Sequence, residues 1–435
     1  MDIHVFVGLL FATPSLAFAV WRLKRAIKAQ DEELFFWGGG LYFAVAPIFV
    51  DTLLLAAGEF AEINQAISSE NASYWTGADS VVLMHAAIFV FMFNVTYWIF
   101  SDVAKSVIHI PAAKKDGRFS TVGVILLLLV AYSVLYVSLL EGVDFIQKQK
   151  DELQTTFIST LSQLLLPISA VGFFLHAKEN KYLLAILFAL PLVVVGVVGQ
   201  ARAMFFYIPA ALVMLHVLKN NGRLKLLKLM VVAIALLCCS VLVKIAANED
   251  HGFWYSENKI LFFIANVLRD VSVGDLYYAV SVRNEAEYST TQGSSSLALV
   301  LTGVVPPFLA KGLFDPVNTV IYKIYQMRFG EYSFGSVHPT IYGCAYFDLG
   351  YVGLLLAIFF PIVLRFFKKL FSVYFFSRAA ILIITSGFWF VAMRGSPNVA
   401  YFRYFYSSVL IFAVLYVVYL IQCSYSRDRL FIPRR

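Results

Sequence analysis

The sequence predicts an all-α polytopic membrane protein, and three observations predict it. Of 435 residues, 60% are hydrophobic and only 14% are charged, with a mean hydropathy of +0.77. An ordinary soluble chain carries roughly 25% charged residues, and a soluble fold with this apolar load would expose patches it could not cover. Apolar runs near the ~20 residues that cross a bilayer as a helix recur at about 2–21, 34–57, 79–101, 119–140, 157–176, 182–199, 203–218, 229–247, 340–364, 371–393 and 401–422. The basic residues crowd into alternate connections between those runs, as in a multi-span protein with a fixed orientation. The reading is therefore about 11 transmembrane helices with one large outer loop that carries short helices.

The first run is preceded by Asp2 and followed by Arg22, Lys24, Arg25 and Lys28. A secretory signal has its charges the other way round, so an uncleaved first span is expected. Further bases sit at Lys105, Lys114, Lys115 and Arg118, at Lys178 and Lys181, and at Lys219, Arg223, Lys225 and Lys228. Arg365, Lys368 and Lys369, then Arg427, Arg429, Arg434 and Arg435, complete the set. By the positive-inside rule all of these mark the cytoplasmic side. The connection after the second run carries Glu59, Glu62 and Glu70 and no base before Asp79, as an outer loop should. The N-terminus is then outside and the C-terminus on the cytoplasmic side, which agrees with an odd number of spans.

This map divides the chain into an eight-span bundle over 1–247, a large outer loop over 248–339 and a three-span part over 340–435. The loop holds nine acids and six bases, and too many aromatic and branched residues for a disordered linker. Its apolar runs, Ile260 to Leu268 and Leu297 to Val305, are too short to cross a bilayer and read as interfacial helices. Pro306-Pro307 stops the second, and Ser289 to Ser296 is a polar connector. The net charge of +7 is thus a topological signature, and no nucleic-acid partner is expected. Cys238, Cys239, Cys344 and Cys423 lack metal-ligand spacing, so neither a zinc site nor a disulfide framework is implied.

The residues that could carry chemistry are the bases on the side that should be poor in them. Arg202 follows Gly199-Gln200-Ala201 in a turn between two runs; Arg394 opens Arg394-Gly395-Ser396-Pro397; Arg403 follows; Arg269-Asp270 begins the polar part of the long loop. Arginine suits such a cluster because its planar fork binds phosphate oxygens bidentately and stays charged. Snorkelling of Arg202 to the interface, and ion pairs of Arg269, Arg394 or Arg403 with Asp270, Asp275 or Asp348, are the structural alternatives. His338 precedes Pro339-Thr340-Ile341-Tyr342-Gly343, where the loop re-enters the membrane, and suits either a proton acceptor or an interfacial hydrogen-bonding residue. Asp51 and Lys244 lie inside apolar runs and read as an ion pathway or as satisfied bundle residues. Gly38-Gly39-Gly40 reads as a packing notch or helix irregularity. No nucleotide-binding loop, dinucleotide fingerprint, zinc-protease helix or nucleophile elbow is present in the sequence.

Four stretches in order resemble the Wzy-type O-antigen and enterobacterial-common-antigen polymerases of the bacterial inner membrane. Val197-Val198-Gly199-Gln200-Ala201-Arg202 resembles that family's glycine-arginine hairpin, and Leu268-Arg269-Asp270 with the later Val305-Pro306-Pro307 resembles its large periplasmic loop. His338-Pro339-Thr340-Ile341-Tyr342-Gly343, leading to Asp348-Leu349-Gly350, resembles the loop's return, and Met393-Arg394-Gly395 with Arg403 resembles the last outer turn. The resemblance covers about the second half of the chain.

It implies a GT-C-like, metal-independent membrane glycosyltransferase of lipopolysaccharide biosynthesis that needs no cofactor. Such an enzyme transfers a growing glycan from one undecaprenyl diphosphate onto a repeat unit on another, with a chain-length regulator as a further partner. Arg202, Arg269 and Arg394 would then bind diphosphate, Arg403 would support them or the lipid carrier, and His338 or Asp270 would serve as base or orienting group. Tyr277, Tyr278 and Tyr342 would stack on sugar rings, although aromatic residues this abundant are usually packing groups. An O-antigen ligase acting on lipid A core, and a flippase or transporter of lipid-linked oligosaccharide, are the alternatives.

Overall fold

A computed structural model of the chain describes residues 2–31, 33–57, 79–107, 121–140, 157–198, 211–217 and 340–362, with the single positions 231, 235, 238, 242, 259, 365, 417 and 420. Among the described residues the regular structure is helical and there is no strand. Three helices, Ile3–Ala29, Glu33–Ala57 and Ser80–Phe100, are long and apolar enough to cross a membrane. Shorter apolar helices cover Val124–Tyr136, Ile168–Lys178, Tyr182–Val194 and Gly350–Ile362. Large apolar side chains point outward along them, among them Phe6, Leu10, Trp98, Ile99, Leu183 and Ile186. Apolar outside and packed inside, the protein is a helical membrane protein.

Helix α1 spans Ile3–Ala29. The Asp2 carboxylate caps it by accepting from the His4 N–H at 3.1 Å; that bond, and one from Ser80, hold the Asp2 carboxyl below the usual carboxylate range. Pro14 lies inside the helix, where it lacks a backbone donor. On either side of it Thr13 and Ser15 donate their hydroxyls to the Leu9 and Phe11 carbonyls, at 2.8 and 2.7 Å, so these polar side chains are satisfied within the helix. Gln30, in the left-handed region at φ 55°, ends α1. The chain then reverses into α2, Glu33–Gly40.

A π-helical turn, Leu41–Val45, directly follows the three glycines and leads into α3, Ala46–Ala57. The irregularity expected at Gly38-Gly39-Gly40 is therefore this turn. Helix α4, Asp79–Val107, runs parallel to α1 and packs along it. Gly8 allows the close approach: a Cβ there would lie 3.1 Å from Thr52 Cγ2 and 3.6 Å from Met84 Cα. Helices α5 (Thr121–Leu140), α6 (Phe157–Lys178) and α7 (Tyr182–Val198) pack on one another. The Tyr132 hydroxyl donates to the Leu187 carbonyl at 3.0 Å across that group. One apolar core runs through both groups.

The segment 340–364 departs from the single straight span expected of it. Helix α8, Thr340–Leu349, ends at Gly350, whose φ of 62° turns the chain back on itself. A return arm, Gly350–Ile362, begins as a 3₁₀ helix and packs against α8 so closely that a Cβ on Gly353 would run into the Ala345 carbonyl oxygen. In one straight helix those residues would be about 12 Å apart, so the two arms form a hairpin. Hydropathy averages over it because both arms are apolar; Asp348, two positions before the turn, is the one charged residue in 340–362.

The neighbours of the hairpin fix its direction. Tyr342 lies against Phe89, Tyr351 against His85 and Arg365 over Tyr97, with separations of 5.4, 4.8 and 3.9 Å. Along α4 these partners descend in the order His85, Phe89, Tyr97. Helix α8 therefore starts about halfway along α4, climbs toward the end of the bundle that carries Ile3, and turns at Gly350. The return arm descends toward the end that carries Ala29. Every residue from Thr340 to Phe347 is buried, whereas Tyr351, Val352, Leu355 and Phe359 of the return arm are exposed. Helix α8 is thus a short helix whose Thr340 end lies partway along α4, enclosed by protein, a setting in which a helix end can be tolerated within a membrane.

These glycines carry a prediction. Gly353→Ala must move backbone and is expected to cost about 1–3 kcal/mol, as overpacking does. Gly38→Ala meets nothing within 4 Å and is expected to be neutral or stabilising by up to about 1 kcal/mol. Thermal unfolding of both variants in detergent checks the contrast.

Candidate functional site

The inner end of α8 is the first place where the described residues depart from plain apolar packing. Thr340 has φ 67°, a left-handed conformation that a β-branched residue rarely adopts. It is buried, and its Oγ1 accepts from the Gly343 N–H at 3.3 Å, capping the helix. Strain of this kind persists where the surroundings over-determine it, and it clusters at functional sites. One turn on, Tyr342 is 1% exposed. Its ring neighbours are Phe89 and Tyr346, at 5.4 and 5.8 Å. Its hydroxyl has no hydrogen-bond partner among the described residues. A sugar would reach that ring only after the aromatic contacts opened; the hydroxyl is the group left with bonding capacity, and leaving it unmet is costly in a buried position.

Asn94, 2% exposed on α4, likewise has no partner for either amide atom among the described residues. It falls in the Asn94-Val95-Thr96 sequence, inside a helix apolar enough to cross a membrane.

A second constellation lies at the Ala29 end, and sequence reasoning missed it. Glu33, at the first residue of α2, accepts from two arginines: Arg22 Nη2 reaches Oε2 and Arg365 Nη1 reaches Oε1, each at 2.8 Å. The side chains are 7% exposed for Arg22, 6% for Glu33 and 12% for Arg365. The Trp37 indole N–H donates to Oε2 at 3.4 Å. Aromatic faces complete the enclosure. The Arg365 guanidinium lies 3.9 Å from the Tyr97 ring centre, and that of Arg22 lies 5.4 Å from Trp37 and 5.6 Å from Tyr97. Such cation–π contacts suit the weakly hydrated guanidinium.

Local sequence builds half of this cluster. The left-handed turn at Gln30 and the Asp31 side chain, which accepts from the Glu33 N–H at 3.1 Å, set α2 beside α1 with Glu33 opposite Arg22. Arg365 arrives from 332 positions away in sequence. The sequence reading took Arg22 and Arg365 as bases that mark the cytoplasmic side; the structure joins them, Arg22 buried and Arg365 partly buried, in one ion-paired cluster. The available signal was an acid standing between an arginine-rich run and an apolar one, on the base-rich side.

Of the site residues expected from sequence, Tyr342 is the one placed above. Arg202, Arg269, Asp270, Tyr277, Tyr278, His338, Arg394 and Arg403 lie outside the described residues, as do Lys244 and Asp275. Asp51 is partly buried on α3. No family of known proteins matches the chain, and no match was found among curated proteins or solved structures.

Proposed function

We propose that the protein is a polysaccharide polymerase of the bacterial inner membrane. It extends undecaprenyl-diphosphate-linked oligosaccharide on the periplasmic face by moving the growing glycan onto a new lipid-linked repeat unit. The observation that carries this reading is the set Arg202, Arg269, Arg394 and Arg403 on the base-poor side of an eleven-span map, with the stretches around them resembling the Wzy-type polymerases. Departure of the diphosphate develops negative charge, and fixed arginines in a water-poor site would stabilise it more in the transition state than in the ground state. Helix α8 adds support: the His338-Pro339 stretch runs directly into a short helix that starts partway along α4, enclosed by protein. In this orientation the N-terminus is periplasmic, the C-terminus is cytoplasmic, and the Glu33 cluster lies near the cytoplasmic face.

A discontinuous helix is also what a transporter builds at its substrate site, and α8 favours a flippase of the same lipid-linked glycans as the second reading. One experiment separates the readings. Purified protein in liposomes with a lipid-linked repeat unit is expected to yield a ladder of lengthened glycans. Transbilayer movement without new glycosidic bonds would establish the transporter instead, and transfer to lipid A core the ligase.

A further inference from the structure

The return arm is a strut whose two ends are held differently. Near the Gly350 turn the hold is apolar, with Tyr351 edge-on to His85 at 4.8 Å. Along the strut Leu354, Leu356, Ala357 and Phe360 add only apolar packing. At the other end, three residues beyond Ile362, Arg365 is fixed by a 2.8 Å bond to Glu33 and by the face of Tyr97. Exposed apolar side chains such as Leu355 and Phe359 add little to the register of the strut, whereas a charge-assisted bond at Arg365 is short and directional and specifies one register. Helix α8 cannot slip against the strut, because Gly353 is packed on the Ala345 backbone. The bond at Glu33 therefore sets the height of the strut, the strut sets the height of the Gly350 turn, and the turn sets how deep Thr340 sits.

We infer that Glu33 is a positioning residue: held by Arg22 and gripping Arg365, it fixes the depth of helix α8 and, through it, the geometry of the transfer step. The last clause rests on the polymerase reading; the positioning itself does not. Arg22 keeps the Glu33 carboxylate in place from α1, so the register of α8 is referred to the first hairpin of the bundle.

The test uses the full-length chain with its four native cysteines replaced, and with His85→Cys and Tyr351→Cys introduced together. A short thiol-specific cross-linker is expected to join the pair efficiently when Glu33 is present. Glu33→Gln is expected to lower the cross-linking yield severalfold, with Glu33→Asp intermediate. Glycan transfer should lose on the order of tenfold to a hundredfold in kcat, as misplacement by about 1 Å can cause, with KM nearly unchanged. Cross-linking that fraction of Glu33→Gln which still reacts should restore kcat, a rescue that a purely stabilising role would not give.

Unchanged cross-linking in Glu33→Gln would overturn the positioning role. Reduced cross-linking with unaltered kcat would overturn its link to transfer. Absence of any transfer by the parent protein would instead sink the polymerase reading, and the cross-linking yields would still decide the positioning. Should Glu33→Gln fail to fold, Glu33→Asp and Arg365→Lys carry the same comparison.

Discussion

Glu33→Ala is expected to lower the stability of the folded protein by about 3–5 kcal/mol, the cost of removing one partner from a buried ion pair. The substitution leaves two guanidiniums, with side chains 7% and 12% exposed, without the carboxylate they share. Their aromatic neighbours offset only part of this, at about 0.5–2 kcal/mol per cation–π contact. Glu33→Gln keeps an acceptor but loses the charge, and should fall between. The cluster as a whole is a different matter. Replacing Arg22 and Arg365 with Met together with Glu33→Leu removes the desolvation penalty along with the attraction, and such replacements are often neutral or stabilising. The triple variant should therefore be far closer to the parent than Glu33→Ala is. Chemical unfolding in detergent micelles measures both. Equal losses in the single and triple variants would show that packing around Glu33, and not charge, accounts for the effect.

Arg202→Ala and Arg394→Ala are each expected to lower glycan transfer by about 10²–10³-fold, the range seen when one preorganised donor to developing negative charge is removed. Because guanidinium and ammonium differ in geometry more than in charge, Arg202→Lys and Arg394→Lys should recover only part of the loss. The loss should fall mainly on kcat if the arginines meet charge that develops on the leaving diphosphate. Single-turnover transfer from a lipid-linked donor, followed by separation of glycan lengths, gives the two constants. A normal ladder from both alanine variants would refute the arginine assignment.

How far the fold was legible can be seen element by element. The apolar runs near 2–21, 34–57, 79–101, 119–140, 157–176 and 182–199 coincide with α1, the Glu33–Ala57 segment, α4, α5, α6 and α7. Three of these, Ile3–Ala29, Glu33–Ala57 and Ser80–Phe100, are long and apolar enough to cross a membrane; length and hydropathy suffice there because a spanning helix must satisfy its own backbone and present apolar side chains to lipid. The ends are less legible. Helix α1 continues to Ala29 through Arg22, Lys24, Arg25 and Lys28, since hydropathy marks where the lipid stops and not where the helix does. The reversal at Gly350 left only a slight trace: Asp348 interrupts the apolar run two residues before it, and one glycine among several carries the left-handed φ.

The site divides in the same way. Arg202, Arg269, Arg394 and Arg403 stood out because the charge map puts them on a side expected to be poor in bases, and they lie outside the described residues. The Glu33 cluster was silent because each member has an ordinary local role: Arg22 and Arg365 flank apolar runs, and an acid in a first helical turn suits the helix dipole. What joins them is a contact 332 positions apart in sequence, and only the tertiary fold creates it.

The π-helical turn Leu41–Val45 has a bearing on which length changes the chain can tolerate. A regular helix advances about 100° per residue, so Glu33 and Thr52, 19 positions apart, would face directions roughly 100° apart on an unbroken α-helix. One extra residue taken up in the turn makes those positions span five whole turns, and both ends of the segment face α1: Glu33 meets Arg22, and Thr52 meets Gly8. Deleting a single residue from 41–45 would leave 18 positions between them, about five whole turns of regular α-helix, so both ends would still face α1. The π turn therefore absorbs a surplus residue without loss of phase: a one-residue deletion here should be tolerated, whereas a further inserted residue would turn one end about 100° from its partner, a difference that hydropathy would hardly register.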